Sequence, residues 1–333
     1  MKARAFVIML TFVCAMTVRA QSVASTARGI VVAHDGTVEL QGDRGWSANG
    51  VANPGPIVVG ETRIAVFDTI ANEAAIIDLA DGKSTRVHTG ESPIGGLFLG
   101  RDLFLLARDA SILERFGADG SHASVKTAAD PLAVRESGGV LYVYARVAGK
   151  LYAIDPARMT IVREADVPRF LSDLEVDAER IYLLDPQHAK LHIVTRAMQL
   201  DEARIGAVPT DLAIVHTADR QHEELAFADP SGKRVFVMSR PQTTAESAAK
   251  ATTGSVGSAS ASPRRFTAFP TGVDRVLTRG LEIVAYDSAT QTLYRYGKKV
   301  PLIATGVVPN AFALAPDGIV WYDAVRRLQK IAY

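Results

Sequence analysis

The chain has 333 residues, 37 basic side chains against 36 acidic ones, 48% hydrophobic residues and one cysteine. That apolar content can fill a large core. The balanced charge argues against sequence-independent nucleic-acid binding or a polybasic membrane surface, and a lone cysteine excludes an internal disulfide framework.

The first residues read as a targeting segment. Lys2 and Arg4 are followed by an apolar stretch from Ala5 to Met16, and Val18-Arg19-Ala20 offers small residues at the two positions a signal peptidase reads. Cleavage is expected before Gln21, giving a signal peptide over residues 1–20 and a periplasmic or secreted mature chain. The apolar run is short for a membrane span. An uncleaved anchor is the alternative, while Val13 before Cys14 departs from a lipoprotein signal. Removal of this segment takes away Lys2, Arg4, Arg19 and Cys14, leaving 34 basic residues against 36 acidic ones and no thiol for a nucleophile or metal site.

Beyond it, Gly29–Ala33 and Thr37–Leu40 are each strand-like. A block of roughly forty residues then recurs, a period typical of propellers and solenoids. Its core is a hairpin: RIAVFDTIANEAAIIDL at Arg63–Leu79, a weaker DLFLLARDASILERF at Asp102–Phe116, VLYVYARVAGKLYAI at Val140–Ile154, and RIYLLDPQHAKLHIV at Arg180–Val194. ELAFADPSGKRVFV at Glu224–Val237, EIVAYDSATQTLYRY at Glu282–Tyr296 and IVWYDAVRRLQKI at Ile319–Ile331 continue the series. Val, Ile, Leu, Tyr and Phe in partial alternation around a polar turn predict paired strands. Asp68, Asp185, Asp229, Asp287 and Asp323 end the first strand of five copies, where a carboxylate can accept backbone N–H groups and hold the turn.

A Gly-x-x-Pro element or similar precedes most hairpins, as at Gly90–Pro93, Gly206–Pro209 and Gly306–Pro309. Proline suits the start of a strand rather than its middle, and the apolar run after it predicts an innermost strand. These pieces make seven four-stranded units, with inner strands starting near Pro56, Pro93, Pro131, Leu171, Thr210, Gly272 and Pro309. The last unit lacks a fourth strand, and a strand from Gly29–Ala33 or Thr37–Leu40 is expected to complete it and close the ring. The prediction is an all-β chain: a β-propeller of about seven four-stranded blades over residues 21–333. Pro241–Pro263, built of Ala, Ser, Thr and Gly, is expected to be a disordered insert within it. This insert and the long loop His216–Glu223 are expected on one face of the disc.

The Gly-x-x-Pro element, the phrase ALAPDGIVWYD at Ala313–Asp323 and the hairpin IAVFDTIANEAAIIDL at Ile64–Leu79, with Asn72 in its turn, resemble the NHL and YVTN-type propeller repeats. The resemblance spans nearly the whole mature chain. It implies a scaffold found in binding proteins, extracellular enzymes and sensor domains, so function must be argued from sites.

Most chemical motifs read as structure. Calcium needs six to eight oxygens within about 2.6 Å, which Asp residues on separate blades cannot supply together. His188 and His192 on one strand face would stand about 13 Å apart by rise, and His216, His222 and Glu223 form a loose loop set. Gly82–Thr85 (GKST) lacks the first Gly of a phosphate loop, and Asp81-Gly82 reads as a turn. Ser247–Lys250 (SAAK) falls in the insert without its partner motifs. The predicted inner strands are mostly apolar, with Asp173, Glu175, Asp211 and Asn310 as polar exceptions that can converge on the axial channel. The expectation is therefore an exported, non-catalytic, monomeric binding or protein-interaction scaffold. Its partner would be an unknown protein or small-molecule ligand, with no cofactor, catalytic residue or metal. The alternative is a metal-dependent extracellular hydrolase or lyase of lactonase type, which needs three or four ligands near the axis.

Overall fold

Alternation of apolar residues on both faces of the hairpin strands dictates sheets that bury each face against a neighbouring sheet. In blade 2, Ile64 and Val66 point to one side while Ala65 and Phe67 point to the other, and all four are fully buried. A computed structural model describes residues 22–42, 44–216, 223–241, 265–297, 302–304, 306–307, 311–322 and 328–332. Among them there is no helix, and the strands form eight antiparallel sheets, seven four-stranded and one three-stranded, each in consecutive order. Residues 1–20, where a signal peptide is expected, most of residues 241–263, Asn310 and Asp323 lie outside the described residues.

The innermost strands are β1 (Ser22–Thr26), β5 (Ile57–Val59), β9 (Pro93–Leu99), β13 (Pro131–Ser137), β17 (Asp173–Val176), β21 (Asp211–His216), β25 (Arg275–Arg279) and β29 (Phe312–Ala315). Each touches the next, and β29 touches β1, so the ring closes. Accessibility follows position in the blade. Second strands such as β18 (Arg180–Asp185) are buried throughout, outer strands such as β16 (Thr160–Asp166) are almost wholly exposed, and inner strands are intermediate because they line the channel. Eight apolar clusters, one per blade interface, form the core.

Blade count and closure differ from expectation. The seven predicted units are blades 2–8, and the N-terminal residues form an eighth blade of their own. Gly29–His34 and Thr37–Gln41 pair with each other rather than with the last unit, flanked by Ser22–Thr26 and Trp46–Asn49. The last sheet contains β29, β30 (Gly318–Tyr322) and β31 (Leu328–Ala332), with no N-terminal strand added. Closure is by face-to-face packing of Val23 and Val32 on Ala311, Ala315 and Val320. SVAST and WSAN carry few large apolar residues, so the flanking strands of blade 1 leave a weak sequence pattern.

The hairpin turn recurs with one geometry. The residue that ends it is left-handed in blade after blade: Asn72 at φ 56°, Ser111 at 54°, Gly149 at 67°, Ala189 at 52°, Lys233 at 48° and Gln291 at 53°. This is the type I turn plus left-handed residue of longer hairpin loops, a position that favours Gly or Asn. Only blades 2 and 4 of this group carry them there.

A candidate ligand site at the axis

The axial site is built from the inner strands of neighbouring blades, and three of its residues open their strands. In blades 5, 6 and 7 those residues are Asp173, Asp211 and Arg275. They line a cavity of about 460 Å³ together with Arg135 and Glu175. Three of the four polar residues expected at the axis are thus gathered in one place, while the fourth, Asn310, lies outside the described residues.

Their hydrogen bonds run between blades. Asp173 Oδ2 accepts the backbone N–H of Leu212 at 3.0 Å, and Asp211 Oδ2 accepts that of Val276 at 2.6 Å. Each carboxyl therefore bridges its own inner strand to the next. Glu175 Oε1 accepts from Arg135 Nε and Nη2 at 3.1 and 2.8 Å, which joins blade 5 back to blade 4. Arg135 also donates from Nη1 to the Val134 carbonyl. The axial polar side chains form a continuous set of fasteners across blades 4 to 7.

Burial raises the Asp173 carboxyl, against the pull of Arg135 and the N–H groups of Leu174 and Leu212. Asp211 is raised much further, first by burial and then by the negative charge of Asp173, with the Val276 N–H opposing. Like charges this close disfavour double ionisation and raise the affinity of the pair for a proton. Burial also raises Glu175, against Arg135. Burial tends to lower Arg135, but Glu175 outweighs it and holds the guanidinium above its ordinary value. Although protein surrounds it closely, 38% of the Arg135 side chain is open to the channel, so water screens this ion pair.

Beside the charged groups part of the lining is apolar. Leu277 and Phe312 border the cavity and continue into a second space of about 280 Å³ bounded by Val23, Ala24, Ala313 and Leu314, with Thr278 and Arg279 among its polar members. Arg135, Arg275 and this apolar wall escape a sequence search that starts from carboxylates. The available signal is positional: Arg275 opens its inner strand as Asp173 and Asp211 open theirs.

The turn aspartates remain at the hairpins. Asp68 is fully buried and accepts from the N–H groups of Asn53, Ile70 and Ala71. Asp229 accepts from Gly232 N–H, the Ser231 hydroxyl and Arg234. Asp287 accepts from Ala289 N–H and the Thr290 hydroxyl. Asp185 accepts His188 N–H and contacts both His188 Nδ1 and His192 Nε2, at 2.8 and 3.3 Å through the same oxygen. The two histidines therefore converge on Asp185 instead of standing strand-spaced, because His188 belongs to the turn and only His192 to β19 (Lys190–Thr195). No group of three or more His, Cys, Asp and Glu side chains among the described residues is arranged to hold a metal.

Elsewhere, a groove of about 750 Å³ lies between the outer parts of blades 2 and 3, bordered by Arg63, Lys83, Thr85 and His122. It takes in the phosphate-loop mimic, where Gly82 at φ 72° makes the turn and Lys83 pairs back to Asp81 at 2.9 Å. On the blade 5–6 side, Arg240 lies 3.4 Å from Asp177 and 3.8 Å from Glu223, and Glu223 lies 3.5 Å from His216. The residues that flank the long loop and the insert thus meet on one face. No helix among the described residues is long and apolar enough to cross a membrane.

The sequence matches no protein-family model and no curated protein. Solved structures resemble the fold. BamB from Moraxella catarrhalis is 11% identical with a TM-score of 0.64, over 93% of this chain and 96% of that one. Virginiamycin B lyase from Staphylococcus aureus is 14% identical with a TM-score of 0.61, over 84% and 94%. Hydrazine synthase from Kuenenia stuttgartiensis is 11% identical with a TM-score of 0.60, over 87% and 99%. At such identities the likeness establishes the β-propeller architecture, and it extends to proteins as different as a lyase and a synthase, so the site must carry the functional argument.

Proposed function

We propose that this chain is an exported, non-catalytic binding module, a propeller of NHL/YVTN-type repeats that presents its axial cavity and loop faces to a partner or ligand. The observation that carries this reading is the engagement of the axial acids. Asp173 and Asp211 are committed to backbone N–H groups of the following blade, and Glu175 to Arg135. Groups so held shape a wall rather than attack a substrate. Export rests on the tripartite pattern of residues 1–20. Capture of crosslinked partners from envelope extracts tests the reading. A specific protein or small molecule is expected on the wild-type chain, and failure to recover either under any condition counts against it.

A second reading, a metal-dependent hydrolase or lyase, draws on the same acids. Asp173 and Asp211 are both raised carboxyls beside a cavity, as groups in proton-transfer chemistry are. Metal analysis of purified protein separates the two, since stoichiometric calcium or zinc lost on Asp173→Asn would favour the enzyme.

A further inference from the structure

We propose that the axial cavity binds a small amphipathic carboxylate, with its anionic end on Arg275 and its apolar body against Leu277 and Phe312. The inference rests on the binding-module reading and names the ligand class of that site. It follows from what each wall group still lacks. Arg135 spends three nitrogens on Glu175 and the Val134 carbonyl. The Asp173 and Asp211 pair is satisfied by the N–H groups of Leu174, Leu212 and Val276. Arg275 is exposed, borders the same cavity and pulls electrostatically on Asp211, but its guanidinium makes no direct hydrogen bond or ion pair among the described residues.

The unmet need of the cavity is therefore an acceptor. A guanidinium presents a planar fork that a carboxylate fills with two parallel hydrogen bonds. A purely ionic ligand would leave the apolar part of the lining unused. Leu277 and Phe312 form that part, and the adjoining space bounded by Val23, Ala24, Ala313 and Leu314 extends it. The cavity volume of about 460 Å³ falls within the range of small-molecule sites. A ligand with one carboxylate and one apolar end satisfies both parts together.

Calorimetric titration of the purified protein with 3-phenylpropanoate, 3-phenylpropanamide and 3-phenylpropylamine tests this. The carboxylate is expected to bind about tenfold or more tightly than the amide, the scale of a charge-assisted pair. Arg275→Ala should bring it down to the amide's affinity, Arg275→Lys should fall between, and the remote Arg204→Ala should match wild type. Tightest binding by the amine, equal affinities for all three, undetectable binding of the carboxylate, or an Arg275→Ala protein that keeps full carboxylate affinity would each overturn the proposal. A protein partner recovered from envelope extracts alongside any of those results would leave the binding-module reading standing while this inference fell.

Discussion

Asp211 and Asp229 sit at the same end of adjacent strands in blade 6, where Asp211 pairs across the ladder with Ala228, yet their carboxyls shift in opposite directions. Burial pushes both upward. At Asp229 it is outweighed by Gly232 N–H, the Ser231 hydroxyl and Arg234, so the carboxyl falls below its ordinary value. At Asp211 the Asp173 charge adds to burial, and the Val276 N–H and the Arg275 charge oppose them without cancelling them, so it rises well above that value. The neighbours, rather than the residue type, decide which carboxyl has its proton affinity lowered at a turn and which has it raised at the axis.

This contrast can be broken by substitution, and the largest effect is expected at the turns. Asp68→Ala would strip a fully buried acceptor from three backbone donors, and should cost about 3 kcal/mol in urea unfolding. A change below about 0.5 kcal/mol would show that the turn carboxylate is dispensable.

The axial side should respond in the opposite sense. A raised carboxyl binds its proton more tightly in the folded chain, so its contribution to stability is present at low pH and lost as pH rises through the folded value. Asp211→Asn removes that dependence and the repulsion from Asp173. It should stabilise the protein at neutral pH by about 1 kcal/mol and flatten the melting-temperature profile above about pH 4. Asp229 has a lowered carboxyl, so its contribution is present above the ordinary carboxylate value and is lost as pH falls through the folded one. Asp229→Asn should weaken the protein at neutral pH and reduce its loss of stability in acid. Identical pH profiles for the Asp211 and Asp229 variants would erase the distinction.

Smaller effects sharpen it. Lys233→Gly and Ala189→Gly relieve left-handed residues beside the Asp229 and Asp185 turns, and each should raise stability by about 0.5–1 kcal/mol, read as an increase in urea midpoint. Arg275→Ala, at an exposed axial position, should move the midpoint by less than about 0.5 kcal/mol.

The legibility of the sequence follows the same divide. Hairpins of blades 2–7 were readable because their second and third strands are largely buried on both faces, which forces apolar runs ended by turn residues, and blade 8 repeats the pattern in its second strand although its third, Leu328–Ala332, is mostly exposed. Asp68 and Asp229 announce themselves by recurring at one place in the repeat. Blade 1 was readable only in its middle, since Ser22–Thr26 and Trp46–Asn49 carry few bulky apolar residues, and this cost the count one blade. At the axis, Asp173, Glu175 and Asp211 stood out as polar residues in apolar strands. Which backbone donor each would meet on the next blade depends on how inner strands align around the ring, a relation between residues 39 or 65 positions apart. The convergence of His188 and His192 on Asp185 was hidden for a related reason: a turn folds back, and strand spacing does not apply across it.

Carbon-13 carboxyl titration of Asp173 and Asp211, with and without excess calcium, tests the axial account most directly. We expect one proton held by the pair above the ordinary carboxylate range and no response to the metal. Two carboxyls ionising independently in that range, or resonances displaced by calcium, would mean that the centre of the wheel is a metal-binding or reactive site instead of a seam between blades.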